Sequence, residues 1–120
     1  MKLITKPIEK RLLKTPLNTH ESTPPDEVPV IVKFFDPFGS ATWYVTEGEQ
    51  LGNDDWEFFG YVTGLTADEW GYFRLSELQA LKDPIFGRFP RIERDMSFDI
   101  GDPIPDFVEL AGTVTLDVHE

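Results

Sequence analysis

The sequence predicts an α+β domain, a mainly antiparallel sheet of four to six strands with two short helices packed on it. Three observations lead there. Four strand-like runs between residues 28 and 75 are joined by links too short for parallel crossovers. Helical spacing occurs only twice, near residues 7–14 and 77–82. At 120 residues and 40% hydrophobic content, the chain has material for one core and hence one domain.

The first helix is expected over residues 7–14. Thr5 is placed to cap it, proline is tolerated in its first turn, and Ile8 and Leu12 form an apolar stripe. Pro16 ends it. Residues 15–27, "TPLNTHESTPPDE", read as an extended, proline-rich connection over the surface. "VPVIVKFF" then reads as a strand over residues 28–35, with Val28, Val30, Val32 and Phe34 on one face. "DPFG" carries the residues of a type I turn, and "ATWYVTE" returns as the second strand, with Trp43 and Val45 opposite Tyr44 and Thr46.

"GEQLGNDD" reads as an acidic loop tip, and "WEFFGYVTG" as the third strand. Gly60 sits mid-strand, where only a bulge or a close backbone approach justifies it. Thr66 and Glu69 have capping-box spacing and suggest one helical turn. "WGYFRL" reads as the fourth strand. Ser76 and Gln79 form a second capping box, with Leu75 and Ala80 as staple, opening a helix over residues 77–82 that Pro84 stops. "MSFDI" and "GTVTLDV", residues 112–118, are candidates for a fifth and a sixth strand. The single domain thus divides into an N-terminal helix and connection (1–27), a core (28–100) and a C-terminal extension (101–120).

Composition closes off several chemistries. Without cysteine there are no disulfides, thiol catalysis or cysteine-held zinc, in keeping with a cytoplasmic setting. No apolar run has the length of a signal peptide or a membrane span, so no membrane partner is expected. The net charge is −11, unevenly spread: residues 34–120 hold 18 acidic groups against five basic ones. Such a body repels nucleic acid and attracts a basic protein partner.

The motifs "VIVKFFDPFGSATWYVTEGE", "DWEFFGYVTG", "EWGYFRLSEL" and "IERDMSF" follow one another in the order seen in the bacterial domain-of-unknown-function family 2958, which the chain resembles over residues 28–98. The resemblance implies a small bacterial protein of a group associated with plasmids, phages and other mobile elements. It brings no defined activity, cofactor or catalytic residue.

The residues offer few catalytic arrangements. The two histidines, His20 and His119, lie in the connection and near the C-terminus, and no G-x-S-x-G elbow is present. Asn53, Asp54, Asp55 and Glu57 lack the alternation of a calcium loop and read as a solvated turn, so neither metal nor cofactor is expected. The glycines form no phosphate-binding run. Arg88, Arg91 and Arg94 recur every third residue. They are either a bidentate anchor for an anion or partners of the protein's own carboxylates, and the second reading is preferred.

Three function classes remain. The leading one is a non-enzymatic accessory protein of mobile elements that binds another protein through an acidic, aromatic-bearing surface. Its candidate residues are Trp43, Glu47, Asp55, Glu57, Glu69, Trp70, Tyr72, Arg91 and Arg94. Strand alternation sets Trp70 and Tyr72 opposite Phe73, so these rings either form an interface or lie beneath the N-terminal helix and the proline-rich connection. The second class is a DNA mimic that inhibits a defence enzyme, with Glu47 and Glu49, and Asp55 and Glu57, repeating at about 7 Å along strands. The third is a small enzyme working through carboxylates alone, among them Glu47, Asp55, Glu57 and Asp68.

Overall fold

The structure is a computed structural model that describes residues 1–104. Its elements are α1 (Lys6–Leu13), β1 (Val32–Phe35), β2 (Thr42–Gln50), β3 (Trp56–Thr63), β4 (Glu69–Arg74), α2 (Leu75–Ala80) and β5 (Glu93–Arg94), with a 3₁₀ turn at Pro25–Glu27. The strands form one antiparallel sheet in the order β4-β3-β2-β1-β5. With α1 and α2 packed on it, the sheet gives the α+β fold that the strand spacing predicts.

The sheet has two unlike faces. On one, α1 contributes Ile8 and Leu12, and α2 contributes Leu75 and Leu78, to a core with Phe34, Trp43, Val45, Trp56, Phe58 and Phe73. Phe58 is fully buried and lies between the rings of Phe34 and Phe73, at 6.1 and 5.7 Å. The other face carries a smaller cluster of Val30, Tyr61 and Ile104, flanked by Tyr44, Trp70 and Phe98. The cover over this second face therefore includes the segment around residues 98–104. α1 lies on the opposite face and does not cover Trp70.

The first hairpin follows its sequence. The Asp36 carboxylate accepts from the Phe38 N–H at 2.9 Å, and the Asp36 N–H donates to the Ala41 carbonyl at 3.0 Å. Gly60 also has its reason: an added Cβ would overlap the Tyr44 carbonyl oxygen. The close approach sits beside a register shift in β2 between Val45 and Glu47, a bulge that adds one residue opposite β3.

Several elements differ from the reading above. β1 begins only at Val32. Val30 turns to the second cluster and Ile31 joins the helix-side core, so the alternation breaks where the Val30 N–H leaves to bond the Asp102 carbonyl. β2 runs on to Gln50, taking "GEQ" out of the loop, because Gly48, Glu49 and Gln50 pair with Phe58, Glu57 and Trp56 of β3, and Gly48 fits closely beneath Leu12 of α1. Residues 15–27 are a series of turns, with Asn18 at φ 75° and the 3₁₀ turn at Pro25–Glu27, rather than an extended strap. Thr5 occupies the N-cap position of α1 without a side-chain capping bond. The suggested helical turn at Thr66 is a bend, where Asp68 accepts from the Gly64 N–H at 3.0 Å and Glu69 already belongs to β4.

α2 starts at Leu75 with Arg74 at the N-cap, two residues ahead of the start set by the capping box proposed for Ser76 and Gln79. Glu77 accepts from the Arg74 N–H at 2.7 Å. Asp55, far away in sequence, accepts from both the Ser76 N–H (2.9 Å) and the Ser76 hydroxyl (2.7 Å). The fifth strand is Glu93–Arg94, and "MSFDI" begins in a turn after Asp95. The sixth candidate, residues 112–118, lies outside the described residues.

Acidic side chains act here as local fasteners. The Asp83 side chain is buried, and its two oxygens accept four main-chain N–H bonds, from Ile85, Phe86, Arg88 and Phe89, at 2.6–3.2 Å. The Phe86 N–H foremost, against the opposing effect of burial and with the other three donors, holds this carboxyl below its ordinary value. Asp36 is also lowered, chiefly by its hydrogen bond from Arg91. At Asp55 burial opposes ionisation, but the Ser76 and Trp56 donors outweigh it and the net shift is again downward. A carboxyl lowered by folding stabilises above its unfolded pKa of about 4 and loses that contribution as pH falls through the folded value. Urea melts between pH 7 and pH 2.5 should therefore show stability dropping below about pH 4. Asp83→Asn should be less stable at pH 7 and lose less on acidification. Gly60→Ala should cost at least about 2 kcal/mol at any pH, because backbone rather than a side chain would have to move.

Candidate functional site

A cleft of about 300 Å³ with an aromatic wall lies between the turns of residues 16–28 and the second face of the sheet. β3 supplies Phe59, and β4 supplies Trp70 and Tyr72. The Phe59 ring stacks on Trp70 at 5.7 Å and meets Tyr72 at 4.9 Å, so three rings form a continuous wall. Alternation produces this wall: Phe59, Trp70 and Tyr72 share the face opposite Phe58 and Phe73, and Phe59 stands directly across from Tyr72. Tyr72 is 61% exposed, and Trp70 is half-buried.

The far wall comes from the N-terminal turns, with Asn18, His20, Glu21, Thr23 and Pro25. Glu47 on β2 holds these turns in place. It is 4% exposed, and its carboxylate oxygens accept from the Asn18 N–H and the His20 N–H, each at 2.8 Å. The β2 bulge sets Glu47 and the fully buried Thr46 together at the base of the cleft. His20 places Nδ1 3.2 Å from the Thr23 hydroxyl and is half-buried. The cleft thus pairs an apolar wall of rings with a polar wall of turns, and Glu21 is exposed at its edge. That pattern suits one or two side chains of a polypeptide, since about 300 Å³ is the small end of ligand-sized cavities.

Of the candidate residues, Glu47, Trp70 and Tyr72 meet in this cleft. Glu69 adjoins it on β4, lining a second hollow at the sheet edge with Trp43, Trp70 and Tyr72. Trp43 is otherwise a core residue, 7% exposed. Asp55 is committed to the start of α2. Glu57 pairs with Arg74 at 3.1 Å. Arg91 pairs in a two-toothed fashion with Asp36 at 2.9 Å, and the Arg94 guanidinium donates to the Lys2 carbonyl. The arginine run thus serves the fold through Arg91, whose partner Asp36 is one of the protein's own carboxylates, while Asp95 pairs with Lys33 at 3.2 Å. Phe59, Asn18 and His20 also line the cleft, although none of them was among the candidate binding residues. Phe59 was available from its alternation with Phe58; the two turn residues enter only through the fold. Among the described residues no three histidine or acidic side chains gather as a metal site, and no helix is long and apolar enough to cross a membrane.

The model of a family described as "Protein of unknown function (DUF2958)" matches residues 3–115. The chain belongs to the DUF2958 family. The match reaches past both ends of the stretch that carries the quoted motifs, so α1, the turns that wall the cleft and part of the C-terminal extension are all within the family's span. No curated protein and no solved structure matches this DUF2958 chain.

Glu47 is the residue on which this DUF2958 cleft most depends. Glu47→Ala should lower stability by about 1–3 kcal/mol, the usual loss when buried donors forfeit their acceptor. Hydrogen exchange should speed up selectively at the Asn18 and His20 amides. Unchanged protection there would show that the turns are held by something else.

Proposed function

We propose that this chain is a non-enzymatic accessory protein of bacterial mobile elements that binds another protein through its acidic, aromatic-bearing cleft. The wall of Phe59, Trp70 and Tyr72 carries the reading, because it leaves a large ring exposed beside a carboxylate-bearing wall. Aromatic faces next to carboxylates favour a lysine- or arginine-bearing segment, through cation–π contact and charge together. The net charge of −11 steers such a segment inward. The mobile-element setting is carried over from the family resemblance, and the cysteine-free composition is compatible with a cytoplasmic one.

The other two classes draw less support from the geometry. For a DNA mimic, Glu47 is buried, Asp55 is turned to α2, and Glu57 is neutralised by Arg74, which leaves Glu49 alone of the proposed string. For a carboxylate enzyme, the oxygens of the best-placed acid, Glu47, already accept main-chain bonds.

The test is affinity purification of the tagged chain from its native cells, beside Tyr72→Ser. Tyr72 is exposed, so the variant should keep its fold. Capture of the specific partner should drop at least about tenfold, the scale of a hot-spot aromatic, and should weaken with salt. Equal recovery by both forms would remove the cleft as the binding site.

A further inference from the structure

A second surface stands apart from the cleft. Between α2 and β5 the chain closes a short loop on itself. The Asp83 N–H donates to the Phe89 carbonyl at 2.9 Å, the Gly87 N–H returns to the Asp83 carbonyl at 3.0 Å, and the Arg91 N–H bonds the Leu81 carbonyl at 3.0 Å. The buried Asp83 carboxylate fills the inside with its four main-chain bonds, and Gly87 sits at φ 71°. An ionised carboxylate has about four acceptor sites, so the interior is fully satisfied.

The outside of this rigid loop is apolar. Ile85 is 70% exposed, Phe86 68% and Phe89 49%. The Phe86 and Phe89 rings meet edge-on at 5.8 Å, and the Arg88 guanidinium lies over Phe89 at 5.1 Å. Arg88 forms no ion pair among the described residues. The result is a preorganised knob of apolar side chains with one cation, on a body of opposite net charge. Such rigid aromatic anchors bind at low entropic cost.

The knob has the chemistry that the cleft selects: an aromatic ring for the wall of Phe59, Trp70 and Tyr72, and a cation for Glu21 at the edge. It cannot be its own occupant, because the knob leaves α2 on the helix-covered face and the cleft opens on the other. We infer that the knob of one copy, led by Phe86 and Arg88, seats in the aromatic cleft of a second copy of this chain. The inference rests on the reading of the cleft given above and names its occupant. The contact joins unlike surfaces and is small, and two bodies of net charge −11 repel, so association is weak, with a dissociation constant on the order of 0.1 mM that tightens as salt screens the repulsion.

Sedimentation velocity of the full chain up to about 1 mM tests it. The weight-average mass of the wild type should rise with concentration. Phe86→Asp, which leaves every Asp83 bond in place, and Tyr72→Ser should each weaken self-association at least tenfold. Mixing the two variants should restore it, because the first keeps a working cleft and the second a working knob. A wild type that stays monomeric throughout, or a mixture no heavier than its components, overturns the inference. Tyr72-dependent capture of another protein would then leave the cleft reading intact, whereas loss of Tyr72 dependence in both experiments would overturn the two together.

Discussion

The Glu47 carboxylate is the contact on which the rest of the arrangement hangs. β1 is too short to pair with all of β2, since it stops opposite Val45. The remaining half of β2 would present unmet main-chain groups along that edge. The N-terminal arm fills the gap: the Gly48 N–H donates to the Thr15 carbonyl at 3.1 Å, and Glu47 gathers the Asn18 and His20 amides. A buried carboxylate is costly without donors, and turn amides are costly without acceptors, so each satisfies the other's need. With the arm held there, α1 sits on the helix-side core and the turns stand opposite the aromatic wall. A single strand therefore fixes both the core packing of the N-terminus and the shape of the cleft.

Much of the sheet was legible because its signals are local. The Asp36–Gly39 turn, the alternation through Trp56–Thr63 and the close approach at Gly60 depend on neighbours in sequence or on one adjacent strand. Three of the departures share one cause, a long-range partner that outweighs a local signal. Ser76 and Gln79 have the spacing of a capping box, yet Asp55 caps the helix from 21 residues away. Val28–Ile31 has strand composition, but its main chain is drawn off toward Asp102 and Val45. The short β5 is set by pairing with β1 and by the Lys33–Asp95 bridge, neither of which marks the sequence.

The candidate site shows the same division. Trp70 and Tyr72 were recognisable as a shared face, because strand periodicity is a property of the sequence. That Glu47 would be buried was not, because a bulge and a distant loop decide it. The arginine run illustrates the reverse case: Arg91 is best explained by Asp36 across 55 residues, although carboxylates lie beside the arginines in sequence. Among the described residues, Asp36, Glu47, Asp55, Asp68, Glu77, Asp83 and Asp95 each accept main-chain N–H bonds, and the chain keeps a net negative field with a few exposed rings.

The loop at Asp83 differs from the fasteners at Glu47, Asp55 and Arg91, because all its partners lie within six residues. Glu47, Asp55 and Arg91 each need a distant stretch of chain to be correctly placed first. The Asp83 loop carries its own instructions. Such a segment is portable: it can be lengthened, exchanged or moved to another scaffold without rewriting the sheet beneath it. Its apolar tip can therefore be exchanged without disturbing the cleft, whose walls are drawn from four separate parts of the chain.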